Sequence, residues 1–441
     1  MENRVSSATP QSLVWAAPAE NHDPPAIARA MHQLLGAMTP NLSTLVKSGD
    51  RVLVKPYLTH GGSSSPNGRQ ISHPNFLRCL IEAVRDCGGR VEIGDVRTMP
   101  RGTPVPADRR WIYALAEETG AKPVSFARAG LRQIRSGLLY PRYFYISNAV
   151  LDADVVINCA NAMPHDGLLL SGAIRNMFNV IAGRQQDQLY QLYDNGPDLG
   201  QAIAQVFKTV RPAVSFLDMT TIREAGHKGT VRPVGLVLAS QDAVALDTVA
   251  QHVLGYSQRP LWTSILGEKL GLGAASLTGI EVRGAEVRDF LRTDLRLPRQ
   301  LPNESLSAGD VTKQILKDAA FVQKPSIVAS SCNGCGDCVE ICPLHAIETH
   351  SGGKPSIKTS VCIDCGYCDA ICPTHAVRLK PVGLSRWWNQ AKSGMSFGVG
   401  PLRLHVRLSR NPAIGKPVRS RYGHRSNAAR LPKGLEDRPA E

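Results

Sequence analysis

No apolar run of 18 residues occurs without interruption, which excludes a single membrane-spanning helix. Met1 to Asn21 lack the basic start and apolar core of a secretory leader. The cytoplasm is the compartment these two absences lead one to expect. No G-x-G-x-x-G follows the first strand-like segment and no G-x-x-x-x-G-K-S/T occurs, so neither a dinucleotide site nor a P-loop is supported. No flavin signature is visible. Positive charge comes without a nucleic-acid recognition motif, which sets nucleic acid aside as a partner. The 11 cysteines also lack the spread of a disulfide framework, since eight of them fall between Cys332 and Cys372. Cys79, Cys87 and Cys159 stand apart and are expected to pack as small apolar residues.

At 441 residues the chain exceeds one ordinary domain, and 43% apolar content suffices for a substantial core. The net charge of +14 is lopsided: from Lys380 onward 13 Lys/Arg face 3 Asp/Glu, which places +10 there. Composition divides the chain into an α/β region at 46–290, a linker at 291–323, a cysteine module at 324–379 and a basic tail at 380–441. A helix is expected over Pro25–Met38. In the α/β region Arg51–Leu58 reads as a strand. Pro74–Cys87 reads as a helix, with Phe76, Leu77, Leu80, Ile81 and Val84 at helical spacing. Gly88-Gly89 stops it, and Val91–Ile93 is a second strand. This strand–helix–strand unit predicts a parallel sheet. Further strands are expected at Val155–Cys159, Ala213–Met219 and Val234–Ala239, with helices at Gly172–Ala182, Asp198–Val210 and Asp242–Leu254, the last capped by Asp242. Ligands of such sheets bind beyond the C-terminal strand ends, where Tyr57–His60, Asp95, Asn158–Asn161 and Asp218 should lie.

The cysteine module is an internal repeat. Lys324–Ile347 and Lys354–Val377 are identical at 14 of 24 aligned positions. Each copy holds C-x2-C-x2-C-x3-C-P: Cys332, Cys335, Cys338 and Cys342, then Cys362, Cys365, Cys368 and Cys372. Three thiolates at that spacing can wrap one cubane, with Gly336 and Gly366 relieving crowding where the backbone passes close. The fourth cysteine points away and completes the other cluster. Cys332, Cys335, Cys338 and Cys372 are therefore assigned to one 4Fe–4S cluster, and Cys362, Cys365, Cys368 and Cys342 to a second. Four-cysteine zinc sites instead pair C-x2-C units from separate segments.

The module resembles bacterial-type dicluster ferredoxins, which implies a small two-fold α+β fold with both clusters near the surface. Upstream, Val54-Lys55-Pro56, Ser72-His73-Pro74, Gly94-Asp95, Asp154–Asn158, His165, Gly172–Asn176 and Leu238–Asp247 resemble the domain of unknown function 362 family, whose members often carry such a module at the C-terminus. The chain departs from that family's pattern at Tyr57, where asparagine is common, at Met163-Pro164 before His165, and at Arg175, where lysine is preferred.

The residues that could hold a ligand are Lys55, His165, Arg175 and Asn176. Lys55 and Arg175 would be cationic contacts, and His165, with His73, an acid/base group. Asp242 is expected as a cap and Asp247 as a local hydrogen-bond acceptor. In the tail, Leu402, Leu404, Val406 and Leu408 alternate with Arg403, His405 and Arg407, which suggests a strand with one basic face. That tail is a candidate for docking an acidic redox partner or an anionic membrane surface. The expected function is an iron–sulfur redox protein, an electron-fed oxidoreductase or its electron-transfer subunit. A redox partner protein and a small-molecule substrate would be its counterparts. The alternative is a non-catalytic interaction or sensory module with structural clusters.

Overall fold

The computed structural model describes residues 12–58, 71–95, 110–224, 229–305, 307, 309–310, 312, 323–349 and 354–381. Residues 382–441 of the tail assigned to partner docking lie outside them, as do His60 and the strand expected at Pro401–Leu408, while Lys380 and Pro381 end the last described strand. Among the described residues no helix is long and apolar enough to cross a membrane.

Strands follow one another as β1 (Ser12–Pro18), β2 (Arg51–Lys55), β3 (Arg90–Ile93), β4 (Lys122–Pro123), a hairpin of β5 (Leu131–Arg135) and β6 (Tyr143–Ser147), and β7 (Val155–Asn161). A second hairpin, β8 (Met163–His165) and β9 (Leu169–Ser171), precedes β10 (Val214–Arg223), β11 (Val231–Ser240) and β12 (Ile280–Gly284). Eight of them make one sheet in the order β12-β1-β11-β10-β7-β2-β3-β4. The sheet is mixed rather than wholly parallel, because β11 runs antiparallel to both β10 and β1. The rest of the α/β expectation stands: β10, β7, β2, β3 and β4 are parallel neighbours. From β2 the chain builds outward through β3 and β4, then returns to place β7 on the other side. This reversal is a topological switch point, where a crevice opens beyond the strand ends.

Side chains alternate across the sheet and divide the core in two. Val14, Leu53, Val156, Leu217 and Leu238 pack on one face, and Trp15, Val54, Ile157, Phe216 and Val237 on the other. Helices cover both faces, so the central strand β7 is buried along its whole length and reads as a continuous run. The helix Pro74–Asp86 buries Phe76, Leu77, Leu80, Ile81 and Val84, the residues its spacing selected. His73 caps it, accepting from the Asn75 N–H at 3.3 Å, and Pro74 occupies a first-turn position that needs no donor. Cys159 is fully buried in the second core, with Cys79 and Cys87 packed against it.

The helix expected over Gly172–Ala182 is broken. Ala173–Met177 is α-helical and Phe178–Val180 a 3-10 turn. Ile181 then bridges Ile146, and the Ala182 N–H donates to the Tyr145 carbonyl at 2.9 Å. Pairing with β6 pulls this stretch into extended backbone before a new helix, Gly183–Leu192, begins. Asp242 caps the helix Ala243–Val253 by accepting from the Ala245 N–H at 2.9 Å. Asp247 acts at long range instead. It accepts from the N–H groups of Ala173 at 2.6 Å and Ile174 at 3.0 Å, capping a helix other than its own. Residues 291–305 run along the α/β body: the Arg292 N–H donates to Val253 and the Leu301 N–H to Gly167.

A Cβ on Gly172 would stand 2.1 Å from Asp247 Oδ1, so only glycine lets that carboxylate reach the helix start. Gly172→Ala should therefore cost about 2–4 kcal/mol in chemical denaturation of the full chain, from overpacking and two orphaned N–H donors.

Candidate functional site

In the cysteine module the two repeats exchange their ends. β13 (Gln323–Ile327) opens the first copy and pairs with β16 (Val377–Pro381), which closes the second. β14 (Ile347–Thr349) closes the first copy and pairs with β15 (Pro355–Ile357), which opens the second. The cysteines follow the same exchange. One cavity is lined by Cys332, Cys335, Cys338 and Cys372. Another is lined by Cys362, Cys365, Cys368 and Cys342. Backbone N–H groups of Gly334, Ala346, Asp364 and Ala376 lie 3.4, 3.2, 3.4 and 3.2 Å from the sulfurs of Cys332, Cys342, Cys362 and Cys372. Four thiol groups lining one space, with amide donors turned toward sulfur, fit a 4Fe–4S cluster in each cavity.

The other polar concentration lies at the switch point. Lys55, at the end of β2, is fully buried. Its ammonium donates to Asp95 Oδ2 at 2.5 Å, to the Pro56 carbonyl at 2.9 Å and to Asn176 Oδ1 at 3.0 Å. Asn176 passes the network on to Asn158 Oδ1 at 2.7 Å, and Asn158 donates to the Ala173 carbonyl and to Ser215. Lys55 and Asn176 are thus brought together as the sequence suggested, yet the ammonium has no exposed surface to offer an anion. Arg175 is oriented differently. Its Nε donates to the Tyr190 hydroxyl at 2.6 Å and its Nη1 to Asn179 at 3.2 Å. The guanidinium lies 5.4 Å from the Phe178 ring centroid and 5.5 Å from that of Tyr190. Tyr190 stacks on His165 at 6.1 Å, so His165 and Arg175 converge on a residue the sequence reading passed over.

A third group was also missed in part. His22 Nε2 lies 2.7 Å from Asp218 Oδ2, and its ring stacks on that of His73 at 4.3 Å. Burial alone would lower the pKa of His22, but the adjacent Asp218 carboxylate outweighs it and raises it. Burial would likewise raise Asp218, but His22 and the Thr220 N–H hold it below the usual carboxylate range. Burial, with His22 alongside, pushes His73 down to about 4. One imidazole is thereby favoured as a cation and its stacked neighbour as a neutral ring, a split that suits proton transfer. Asn161, paired with Asp218 across β7 and β10, donates to the Ile71 carbonyl at 3.1 Å. Among the described residues its Oδ1, which is buried, has no hydrogen-bond partner.

Comparison with known proteins accords with both halves of this geometry. Residues 331–376 match the model of the 4Fe-4S dicluster domain, and residues 52–252 match that of the domain of unknown function DUF362. This chain carries a match to the DUF362 model followed by a match to the 4Fe-4S dicluster model. It is 29% identical over 257 residues to the thylakoid-associated protein sll1697 of Synechocystis sp., covering 57% of this chain and 76% of that protein. The lactate racemase apoprotein of Thermoanaerobacterium thermosaccharolyticum aligns with 55% of this chain at 15% identity and a TM-score of 0.37, and the chain spans 58% of that protein.

The dicluster domain is packed against the DUF362 domain rather than tethered beside it. Ile341, Tyr367 and Ile371 are buried in the same core cluster as the helices Ala173–Met177 and Gly196–Val210. Arg184, on the helix that carries Tyr190, pairs with Asp364 at 2.6 Å, and Arg128 pairs with Glu340 at 3.3 Å.

Two outcomes test these assignments. Lys55→Met leaves the Asp95 carboxylate buried without its cation and should cost about 3–5 kcal/mol of stability. The His22 contribution should follow pH. Because its folded pKa is raised above 6.5, the stability advantage of the wild type over His22→Gln is complete below pH 6.5 and is lost as pH rises through the folded pKa. At the acid end the Asp218 contribution, present above its unfolded value of 3.8, is lost as pH falls through its depressed folded pKa. Thermal midpoints of both proteins across pH read the difference.

Proposed function

We propose that this chain is an iron–sulfur electron-transfer protein whose dicluster domain serves a small-molecule substrate held at the C-terminal strand edge of the DUF362 domain. When bound, each 4Fe–4S cluster accepts or gives one electron, within the wide range of potentials open to such clusters. The observation that carries the reading is the seat of the dicluster domain: Ile341, Tyr367 and Ile371 enter the DUF362 core, which puts one cysteine cavity against the substrate-bearing body.

The residues of the edge divide the remaining work. Arg175, held by Tyr190 and Asn179, presents a cation beside His165 and fits an oxygen-rich anionic group. His22, favoured as a cation by Asp218, is a proton store next to the neutral ring of His73. Lys55 fixes this edge from beneath instead of touching the substrate. Cys335 is exposed, which supports access from an external redox carrier at the other cavity. The +10 carried from Lys380 onward supports electrostatic docking of an acidic carrier, with an anionic membrane surface as the competing counterpart.

Anaerobically purified protein should contain about eight irons with matching acid-labile sulfide, and dithionite should produce a broadened, spin-coupled EPR signal. Tightly bound zinc with little iron after reconstitution would remove the electron-transfer reading. Reduced wild-type protein should be reoxidised by a fraction of a small-molecule cell extract. The Arg175→Gln/His165→Gln protein should keep its iron and EPR signal but lose that reoxidation.

A further inference from the structure

The two repeats differ at 10 of 24 aligned positions, and three of the differences fall inside the three-cysteine loops. The first copy reads Cys332-Asn333-Gly334-Cys335-Gly336-Asp337-Cys338 and the second Cys362-Ile363-Asp364-Cys365-Gly366-Tyr367-Cys368. Asn333, Gly334 and Asp337 are replaced in register by Ile363, Asp364 and Tyr367. All three replacements belong to the contact with the DUF362 domain. Tyr367 is buried in its core, Ile363 packs against that core, and Asp364 pairs with Arg184. The cavity built on the second copy is therefore an inner site, and the one built on the first, with exposed Cys335, an outer site.

Asp364 occupies its place against a local penalty. Its φ is +58, in the left-handed region, where the first copy uses Gly334 at φ +75. A side chain there is disfavoured, and the gain that offsets it is the ion pair with Arg184. The approach is close on the other side as well. A Cβ on Gly366 would lie 2.6 Å from Arg184 Cδ, so the guanidinium stem lies across the cysteine loop itself. The Asp364 N–H points at Cys362 sulfur, 3.4 Å away. Lys324 reaches the same loop, donating to the Cys362 carbonyl at 3.1 Å. No counterpart of this arrangement surrounds the outer site among the described residues.

We infer that Arg184 is a positioning residue for the inner cluster site, and that Arg184 and Asp364 shift the reduction potential of that site alone, in opposite directions. A cation beside a cluster favours the added electron and a carboxylate opposes it, most strongly where water is excluded. Arg184 holds Asp364 in a fixed place and cancels its charge, so the two residues act with opposite sign on one site.

This inference rests on both sites holding 4Fe–4S clusters, and not on the identity of the substrate. The experiment is an EPR-monitored redox titration of the full anaerobic protein, with iron counted first, so that failure of the cluster assignment shows before any potential is read. Arg184→Gln should lower the midpoint of one of the two components and leave the other unmoved. Asp364→Asn should raise the midpoint of that same component. The double variant should return it close to the wild-type value. A merely structural contact would move both single variants in one direction, or move both components together, and either result overturns the inference. So does an unchanged pair of midpoints. If Arg184→Gln loses iron, Asp364→Asn decides alone: a rise of one midpoint sustains the inference and its absence ends it.

Discussion

The buried pairing of Lys55 with Asp95 is the constraint on which the rest of this structure hangs. Two charges taken wholly out of water cost several kcal/mol each unless their remaining hydrogen bonds are met. Here Pro56 and Asn176 take up the other ammonium donors. Asn176 is thereby fixed, and with it the short helix in which Arg175 is its neighbour. Arg175 holds Tyr190, and the helix of Tyr190 carries Arg184 to the dicluster domain. A chain of direct contacts and rigid elements thus runs from the ends of β2 and β3 to the loop of Cys362. The switch-point edge and the iron–sulfur domain are in this sense parts of one polar framework.

The sequence discloses much of this, and unevenly. The cysteine ligands are legible because their spacing is local: four thiols within each repeat, plus a known exchange of the fourth, need no long-range information. The helix Pro74–Asp86 is legible for the same reason, through its apolar period and its His73-Pro74 start. The direction of β11 was hidden by the strand ends: the strands expected at Ala213–Met219 and Val234–Ala239 leave 14 residues between them, room for a crossover, whereas the observed strands leave only seven, Glu224 to Thr230, which force an antiparallel return. β1 was harder, because its strand character is short, lies among prolines, and depends on pairing with β11 and β12.

Tyr190 and His22 were hidden for other reasons. The helix Gly183–Leu192 is rich in glutamine and has no clean apolar stripe. Gln185 is buried because its amide serves the backbone of Tyr143 and Tyr145, a role no periodicity reveals. His22 meets Asp218 across 196 positions of chain, and nothing around it in sequence marks it as more than a polar residue before a helix. Lys55 shows the reverse. Its residue type and place suggested a contact for an anion, while its burial makes it a tie between strands.

The exchange of strands and cysteines between the two repeats has a consequence for how the protein matures. A nascent chain that has exposed Cys332, Cys335, Cys338 and Cys342 owns four thiols but neither finished ligand set. The inner set closes only when Cys368 emerges, and the outer set only four residues later, at Cys372. Iron–sulfur assembly on this chain is therefore held back until nearly the whole module has been synthesised, and then both sites become competent almost together. The interlocked repeat works as a checkpoint in time: a truncated product ending anywhere before Cys368 cannot present a complete four-cysteine site of either kind.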